Sequence, residues 1–344
     1  MTKKTFSFSS AKVEYFFDAD FASLQKLVSK ENAVIITDEN IAAKHQKKLK
    51  GWKTIETKAG EHNKVQSTVD SIIQQLIDLG ADRKTTLIGV GGGVITDITG
   101  YVAGVYMRGI SCGFVPTTIL AMVDAAIGGK NGIDVGLYKN MVGLIRQPSF
   151  LLYDYSFLKT LPKEEWINGF AEIIKHACIK DASMFNLLEE SSISSFQKEK
   201  ALLDTLIQRN ALLKTKVVLG DEFESGERKI LNFGHTVGHA IENLYHIPHG
   251  HSVSIGMGVA CKFSEQMTGF SETTRVLQLL KRYGLPPQFD FDTEQTFNIL
   301  TSDKKKESSS INYILLKKIG KAVIQSLSFS EIRSLLNNTR VAAQ

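Results

Sequence analysis

The sequence lacks the features typical of membrane, secreted or nucleic-acid-binding proteins. No uninterrupted apolar run is long enough to span a bilayer, and the first residues, MTKKTFSFSS, contain no apolar segment like that of a signal peptide. The three cysteines are widely separated and odd in number, which indicates buried thiols in a reducing compartment. A net charge of +5, without an interleaved basic and aromatic stripe, does not favour nucleic acid. These absences predict a cytoplasmic protein.

The chain is long enough for two domains. Its 344 residues exceed the length at which a single hydrophobic core usually stops growing. We predict an α/β domain over residues 1–158 and a mainly α-helical domain over residues 159–344, because the pattern changes near Thr160. The mild positive charge suits an anionic small substrate if the cations are concentrated in one cleft.

Strand and helix patterns alternate in the first half of the chain. The predicted strands are 13–17, 33–37, 85–90, 112–115 and 150–153, and the predicted helices are 65–79 and 94–106. This alternation predicts a parallel sheet with crossover helices. Such sheets bind nucleotides at the carboxyl ends of their strands.

A glycine triplet, Gly91 to Gly93 in GGGVITD, joins a predicted strand to a predicted helix. Glycine lets the backbone approach a pyrophosphate closely, and the helix that follows offers free N–H groups. A tight strand-to-helix turn explains the triplet equally well, because the G-x-G-x-x-G fingerprint is absent. Asp38, at the end of an earlier strand, is predicted to bind a ribose hydroxyl or to serve as a helix N-cap.

A second glycine-rich stretch, residues 121–147, carries three polar candidates. Lys130 follows two glycines, and Lys139 and Asn140 are predicted to lie in a second turn. Lysines flanked by glycine can approach a phosphate closely, although each of them alone is also explained as a solvated surface group.

The second half is predicted to be mostly helical. Helices are predicted at 163–179, 202–219, 253–267, 274–283 and 331–336, a hairpin at 311–316 and 322–327, and a mobile loop from 303 into the following serines.

Five of the eight histidines lie between Leu231 and Gly256. His235 and His239 share one helix face because they are four residues apart, and His249 and His251 follow a break at Pro248. Neutral imidazole is the commonest protein ligand for zinc-like metals. Hydrogen-bonded core histidines are the plainer explanation of any one of them, but the cluster favours a metal or catalytic site.

Glu172 lies among apolar residues, three positions before Lys175 on a predicted helix. One interpretation is an intrahelical ion pair with Lys175. The other is a metal ligand that completes a Glu/His/His set with an open position for substrate. The spacing does not decide between them.

Several motifs together resemble one family, the 3-dehydroquinate synthases among the sugar-phosphate cyclases. They are, in chain order, GGGVITD, YMRGI, VPTTIL, VDAAIGGKNGI, KNMVG, GFAEIIKH, LNFGHTVGHAIE, HGHSVSIGM and DKK. The resemblance implies a nucleotide-binding α/β domain followed by a helical metal domain, one NAD, one divalent metal (zinc or cobalt) and a homodimer. It implies conversion of 3-deoxy-D-arabino-heptulosonate 7-phosphate into 3-dehydroquinate and phosphate, in aromatic amino-acid synthesis.

The resemblance also implies roles for individual residues. The metal ligands would be Glu172, His235 and His249, and His239 would face the substrate phosphate. Lys130 and Asn140 match phosphate-binding positions, Arg108 matches an arginine that reaches the neighbouring subunit's phosphate, and Lys214 and Arg228 match residues that hold the substrate carboxylate. Other matching active-site positions are Asp124, Lys139, Lys175, Asn232 and Lys305. Positions matching the NAD site are Asp38, Glu61, Lys64, Gly92, Gly93, Val94, Asp97, Thr117, Thr118, Lys139, Phe157 and Thr160.

The sequence departs from the family pattern at His251, where the family usually has glutamate. This leaves open whether His249 or His251 binds the metal, although the HG-x-x-V-x-IGM frame favours His249. Smaller departures are Thr96, Ala125 and Asn131.

Three other functions compete with this one. Another sugar-phosphate cyclase is disfavoured because a substrate without a carboxylate does not need Lys214, Arg228 and Asn232. A metal-dependent polyol dehydrogenase would release NADH and has no need of so many phosphate-binding cations. A non-catalytic sugar-phosphate binder would not need a full set of metal ligands.

Overall fold

The computed structural model describes residues 1–136, 138–302 and 309–341. The chain forms two compact units, each assembled from two segments. The first unit comprises Met1–Trp166 and Asp204–Phe223, and the second comprises Ile167–Leu203 and Glu224–Gln344. The division predicted after residue 158 is simpler than this arrangement, because residues 204–223 return to the first unit. The assignment of NAD binding to residues 1–158 and of metal and substrate binding to residues 159–344 stays a prediction.

A seven-stranded sheet forms the centre of the first unit. In spatial order its strands are β1 (Thr2–Ser7), β2 (Lys12–Phe17), β9 (Phe150–Leu152), β6 (Ser111–Pro116), β5 (Thr86–Gly91), β3 (Ala33–Asp38) and β4 (Lys53–Thr57). β1 pairs antiparallel with β2, and the other neighbouring strands run parallel. The predicted parallel sheet is confirmed. Since β4 and β6 lie on opposite sides of the β3–β5 pair, the strand order reverses at β3 and β5, where such sheets bind ligands.

Helices connect these strands and bury them. They are α1 (Glu39–Lys44), α2 (Gln46–Leu49), α3 (Gln66–Asp78), α4 (Gly93–Val105) and α8 (Lys200–Gly220). Short 3-10 helices cover Phe21–Lys26, Lys30–Asn32, Glu61–Asn63, Tyr106–Arg108 and Tyr155–Thr160, and Ala121–Ala125 forms a π-helical turn. Ile35 of β3 and Leu152 of β9 are fully buried in one core with Phe157. Each such side chain stabilises the fold by about 1.5–3 kcal/mol. The Tyr15 and Thr215 hydroxyls, 2.9 Å apart, tie β2 to α8.

A separate antiparallel hairpin belongs to the first unit. Its strands are β7 (Lys130–Val135) and β8 (Tyr138–Ile145). The predicted second turn at Lys139 and Asn140 is wrong, because both residues lie in β8. Most of β8 is exposed, so its sequence lacks the apolar alternation by which a half-buried strand is recognised.

The second unit is mainly helical. Its helices are α5 (Lys163–Lys180, with its first turn in the first unit), α6 (Ala182–Glu190), α7 (Ile193–Lys198), α9 (His235–Tyr245), α10 (His249–Thr268), α11 (Thr273–Arg282), α12 (Thr293–Ser302) and α13 (Phe329–Val341), with a 3-10 helix at Glu227–Asn232. The predicted hairpin is confirmed as β10 (Ser310–Lys318) and β11 (Lys321–Ser328). The predicted start of a helix at residue 253 is wrong, since α10 begins at His249 with Pro248 as its N-cap. The predicted loop at 303–306 lies outside the described residues.

The fold class agrees with the prediction of an α/β domain and a mainly helical domain. Cys112, Cys178 and Cys261 are buried free thiols, as predicted. Among residues 1–136, 138–302 and 309–341, no helix has the length and apolar character needed to cross a membrane.

Candidate active site

The carboxyl ends of β3, β5 and β6 form what we call the nucleotide edge of the sheet. Gly91, the last residue of β5, lies beside Pro116, and the Thr117 N–H donates to the Gly91 carbonyl at 2.9 Å. Helix α4 begins immediately afterwards, at Gly93, and no side chain caps it. A Cβ at Gly91 would lie 2.5 Å from the Cβ of Ile95, so the turn into α4 requires glycine there. This turn can present backbone N–H groups to a pyrophosphate.

Asp38 ends β3 at the same edge and caps α1. Its carboxylate accepts from the N–H groups of Asn40 and Ile41 at 2.9 and 3.0 Å, which confirms the N-cap interpretation. Burial raises the pKa of Asp38, and the two N–H groups partly oppose that rise. A carboxylate that caps a helix still has lone pairs that can accept from a ligand hydroxyl. A ribose-binding role for Asp38 is therefore compatible with its capping role, and it stays a prediction.

Lys64 organises a polar cluster in the first unit. It is 4% exposed, and its Nζ lies 2.5 Å from Asp97 Oδ2 and 2.6 Å from Asn140 Oδ1. Lys139 extends the cluster, with Nζ 3.9 Å from Glu61 Oε1. The structure therefore brings together predicted NAD-binding and phosphate-binding residues from β8, α4 and the 3-10 helix before α3.

Lys214 of α8 is engaged with Asp124. Its Nζ lies 2.7 Å from Asp124 Oδ1 and donates to the Asp124 carbonyl at 2.8 Å. Its side chain is only 10% exposed. To bind a substrate carboxylate, the Lys214 ammonium would either keep its contacts with Asp124 and use its remaining N–H, or move away from Asp124.

The remaining predicted residues of the first unit vary in exposure. Phe157 is buried in the core, and the Thr160 hydroxyl lies 2.8 Å from Nε2 of His45. Lys130 and Arg108 are exposed. Thr117 is buried, and Val94 and Thr118 are partly buried.

In the second unit, Glu172 makes the predicted ion pair with Lys175 and also lies beside two histidines, while its role as a metal ligand stays a prediction. It is completely buried on α5, and its Oε2 pairs with Lys175, which is also buried. Its Oε1 lies 3.3 Å from His235 Nε2 and 3.2 Å from His249 Nε2. Burial alone would raise the pKa of Glu172, but Lys175 and His235 hold it well below its usual value. The three ligand atoms of Glu172, His235 and His249 lie within 4.8 Å of one another.

The contacts of the other ring nitrogens fit a metal at this set. His235 Nδ1 lies 3.1 Å from the Phe233 carbonyl, and His249 Nδ1 lies 3.2 Å from Glu242 Oε2. Both of these partners are acceptors, so with a metal bound each Nδ1 would donate its N–H to its partner and each Nε2 would be left as the ligand atom. Burial alone would lower the pKa of His249, but hydrogen bonds to Glu172 and Glu242 raise it to about 10. The site attracts positive charge, as a two-histidine, one-carboxylate zinc site does.

A second group also has metal-ligand spacing. It consists of His239, Glu242 and His249, with ligand atoms again within 4.8 Å of one another. His239 is exposed, and its ring centroid lies 5.0 Å from that of His235. His251 belongs to neither group, and the choice of His249 over His251 as a metal ligand stays a prediction.

The backbones of α9 and α10 approach closely because glycines line their contact. A Cβ at Gly256 of α10 would lie 1.8 Å from the carbonyl oxygen of Gly234, the residue before α9. A Cβ at Gly238 of α9 would lie 2.9 Å from the Ser252 carbonyl oxygen. Asn168 of α5 accepts from the Gly250 N–H, which supplies the cap that Pro248 cannot. These contacts fix the starts of α9 and α10, where the two histidines lie.

Two predicted residues of the second unit lie just before α9. Arg228 is 2% exposed, and Asn232 Nδ2 donates to Glu224 Oε1 at 2.7 Å. Lys305 lies outside the described residues. Glu242 and Asn168 were not predicted from the sequence. Glu242 had one available signal, its position seven residues after His235, which places both on one face of α9.

Fold and geometry together define a class: an α/β protein with a nucleotide-type sheet and a helical unit that carries two histidines and a glutamate at metal-ligand spacing. Residues 54–168 match the 3-dehydroquinate synthase N-terminal family, and residues 169–306 match the 3-dehydroquinate synthase C-terminal family. The chain therefore belongs to the 3-dehydroquinate synthase family, and the resemblance found in the sequence is confirmed.

Individual relatives match most of the chain. The 3-dehydroquinate synthase of Pyrococcus furiosus is 37% identical over 334 residues, which cover 94% of this chain and 98% of that protein. The 3-dehydroquinate synthase of Thermococcus kodakarensis is 42% identical over 283 residues, covering 82% and 80%. The solved structure of a 2-epi-5-epi-valiolone synthase from Streptomyces hygroscopicus, with NAD+ and Zn2+ bound, has a TM-score of 0.87 and 26% identity, and covers 99% of both chains.

Proposed function

We propose that this protein is a 3-dehydroquinate synthase, converting 3-deoxy-D-arabino-heptulosonate 7-phosphate into 3-dehydroquinate and phosphate. The observation that carries the proposal is the convergence of Glu172, His235 and His249 in a chain of this family. The enzyme is an NAD- and metal-dependent carbon–oxygen lyase of the shikimate pathway, which leads to chorismate and the aromatic amino acids.

The cofactors supply the redox chemistry. When bound, NAD would supply reversible hydride transfer with the substrate, and a divalent metal would supply polarisation of the hydroxyl that is oxidised. Glu172, His235 and His249 would hold the metal, for which we propose zinc or cobalt. The nucleotide edge, with Asp38, Gly92 and Gly93, would hold the dinucleotide.

Charged residues of this chain would position the substrate and stabilise its leaving phosphate. Lys130, Lys139 and Asn140 are proposed to bind that phosphate with His239, and Lys175 pairs with Glu172 and keeps that carboxylate ionised for the metal. Lys214 and Arg228 are proposed to bind the carboxylate of the substrate. Asp124 holds the Lys214 ammonium in place, and Asn232 and Lys305 are proposed to contact substrate.

NAD binding is proposed for residues 1–158, and metal and substrate binding mainly for residues 159–344. We propose a homodimer in which Arg108 reaches the neighbouring subunit's phosphate site. The exposed apolar side chains of the β7–β8 hairpin support a protein contact at this hairpin; they are Val135, Tyr138, Met141, Val142 and Ile145.

We also propose a cytoplasmic location, which the three buried free thiols support.

A paired assay tests the function. The purified protein, with catalytic NAD and zinc, is given the heptulosonate phosphate, and phosphate release and NADH absorbance are followed together. We expect phosphate in stoichiometric amounts, a carbocyclic product and no accumulation of NADH, because each hydride is returned. Chelation of the metal should stop phosphate release. NADH rising one-for-one with substrate consumption, without phosphate, would make the protein a polyol dehydrogenase. Turnover only of sugar phosphates without a carboxylate would make it another cyclase.

A further inference from the structure

We propose that Glu242 is a positioning residue that fixes the tautomer and ring orientation of His249 for metal binding. The inference rests on the proposed metal set of Glu172, His235 and His249, and it assigns a role to a residue outside that set.

His249 lies between two buried carboxylates. Its Nε2 lies 3.2 Å from Glu172 Oε1, and its Nδ1 lies 3.2 Å from Glu242 Oε2. The Glu172 and Glu242 side chains are 0% and 5% exposed, so neither carboxylate is well solvated. A buried carboxylate needs a donor or a cation, and His249 Nδ1 is one donor within reach of Glu242.

The protons on the ring select one arrangement. A neutral imidazole carries a single N–H. With the proton on Nδ1, His249 donates to Glu242, and the Nε2 lone pair faces the space shared with Glu172 and His235. With the proton on Nε2, the Nδ1 lone pair would face the Glu242 carboxylate, and the ligand nitrogen would be blocked. Glu242 therefore favours the tautomer that can bind metal at Nε2.

The helix geometry explains why this support comes from α9. His249 is the first residue of α10 and follows Pro248, which provides no side-chain cap. Its ring orientation therefore depends on neighbouring elements. Glu242 lies two turns after His235 on α9, so the same helix face supplies one ligand directly and orients a second.

The competing arrangement makes Glu242 itself a ligand. His239, Glu242 and His249 also have metal-ligand spacing. A metal there would use Nδ1 of His249 and displace its proton. In that case His239 and Glu242 would be equally necessary for metal binding, and Glu172 and His235 would not be required.

Metal-binding measurements separate these arrangements. Zinc affinity, by competition with a chelator, and the visible absorption of the cobalt-loaded protein are measured for wild type, Glu242→Gln and His239→Ala. Glu265→Gln is the matched control, because Glu265 is exposed on α10. We expect Glu242→Gln to lose about 10–100-fold in zinc affinity, typical of a partner that orients a ligand, with little change in cobalt band intensity. His239→Ala and Glu265→Gln should bind zinc like wild type.

Each other outcome overturns the inference. Wild-type zinc affinity in Glu242→Gln would refute the positioning role. Equal losses in Glu242→Gln and His239→Ala, with altered cobalt band intensities, would make Glu242 a ligand. If the wild-type protein binds no metal, both the proposed function and the positioning role are refuted. If the wild type binds zinc and Glu242→Gln is unaffected, the positioning role alone is refuted.

A second measurement needs no variant at Glu242. Nitrogen-15 NMR of the histidine rings in the zinc-loaded wild type reports which nitrogen carries the proton, and His249→Asn assigns the signals. We expect His249 to carry its proton on Nδ1 and to bind zinc through Nε2. Zinc on Nδ1 would refute the inference even if Glu242→Gln does not fold.

Discussion

Replacing Gly256 with alanine tests how α9 and α10 set the metal geometry. The new Cβ would lie 1.8 Å from the Gly234 carbonyl oxygen and 2.8 Å from the Gly238 nitrogen. Both neighbours are backbone atoms, so no side chain can rotate away, and the two helices must move apart. Because His235 follows Gly234 and His249 begins α10, the movement acts on both histidines that are proposed as metal ligands.

The size of the movement follows from the overlap. A carbon atom and a carbonyl oxygen approach to about 3.3 Å at the closest, so the contact must lengthen by about 1.5 Å. Metal–ligand distances tolerate changes of only about 0.2 Å. We therefore expect Gly256→Ala to lose at least about tenfold in zinc affinity, at the scale of a disturbed ligand support. Overpacking should also lower the free energy of unfolding by about 1–3 kcal/mol or more.

The assay combines chelator competition for zinc with thermal unfolding of the metal-free protein. Gly220→Ala is the matched control, since a Cβ at Gly220 has no neighbour within 4 Å and its backbone is helical. That variant should bind zinc normally and be unchanged or about 0.4–1 kcal/mol more stable. Wild-type zinc affinity and stability in Gly256→Ala would refute the account of the helix contact.

Three further predictions concern other parts of the protein. His239→Ala should retain zinc and lose turnover, whereas His249→Ala should lose zinc. Metal analysis and the phosphate-release assay measure the two effects, and the reverse pattern would overturn the ligand assignment. Arg228→Ala should weaken substrate binding roughly ten- to a hundredfold, because a lost charge-assisted hydrogen bond is worth about 1.5–3 kcal/mol, and should leave binding of an analogue without the carboxylate unchanged. Burial alone would raise the pKa of Asp154, but hydrogen bonds from Lys48 (2.6 Å) and Ser156 lower it. Its folded pKa lies below its unfolded value of about 3.9, so its contribution is complete above that pH and is lost as pH falls through the folded pKa. Denaturant unfolding of Asp154→Asn should accordingly show a deficit near pH 7 that disappears at low pH, and a deficit independent of pH would contradict this.

The elements that the sequence predicted well are those whose local pattern matches their burial. Strand β5, the glycine triplet and α4 were predicted within one or two residues, because an apolar run, a required glycine and a helical period follow one another. Strand β8 was missed because most of it is exposed. The start of α10 was missed because its first turn, H-G-H-S, is not apolar and Asn168, from a distant part of the chain, caps it.

The candidate site was predictable in composition and less so in geometry. Spacing placed Glu172 near Lys175 but left the ion pair and the metal ligand as alternatives. In the structure one carboxylate oxygen pairs with Lys175 and the other faces His235 and His249, so the two roles are compatible. The Glu242 contact with His249 depends on how α9 and α10 pack, which no local pattern reports. The pairing of Lys214 with Asp124 depends on α8 returning to the first unit.

That return also orders events during synthesis. Residues 1–166 leave the ribosome before residues 167–203, and only then does the segment 204–223 appear, bringing Thr215 to Tyr15 and Lys214 to Asp124. The first unit therefore cannot complete its contacts until part of the second has been made. We infer that the nascent units fold in overlapping intervals and not one after the other, although N-terminal domains generally fold first. Limited proteolysis of ribosome-bound chains would test this: full protection of the first unit should begin only after Phe223 has emerged, and protection already complete in chains ending at residue 203 would contradict it.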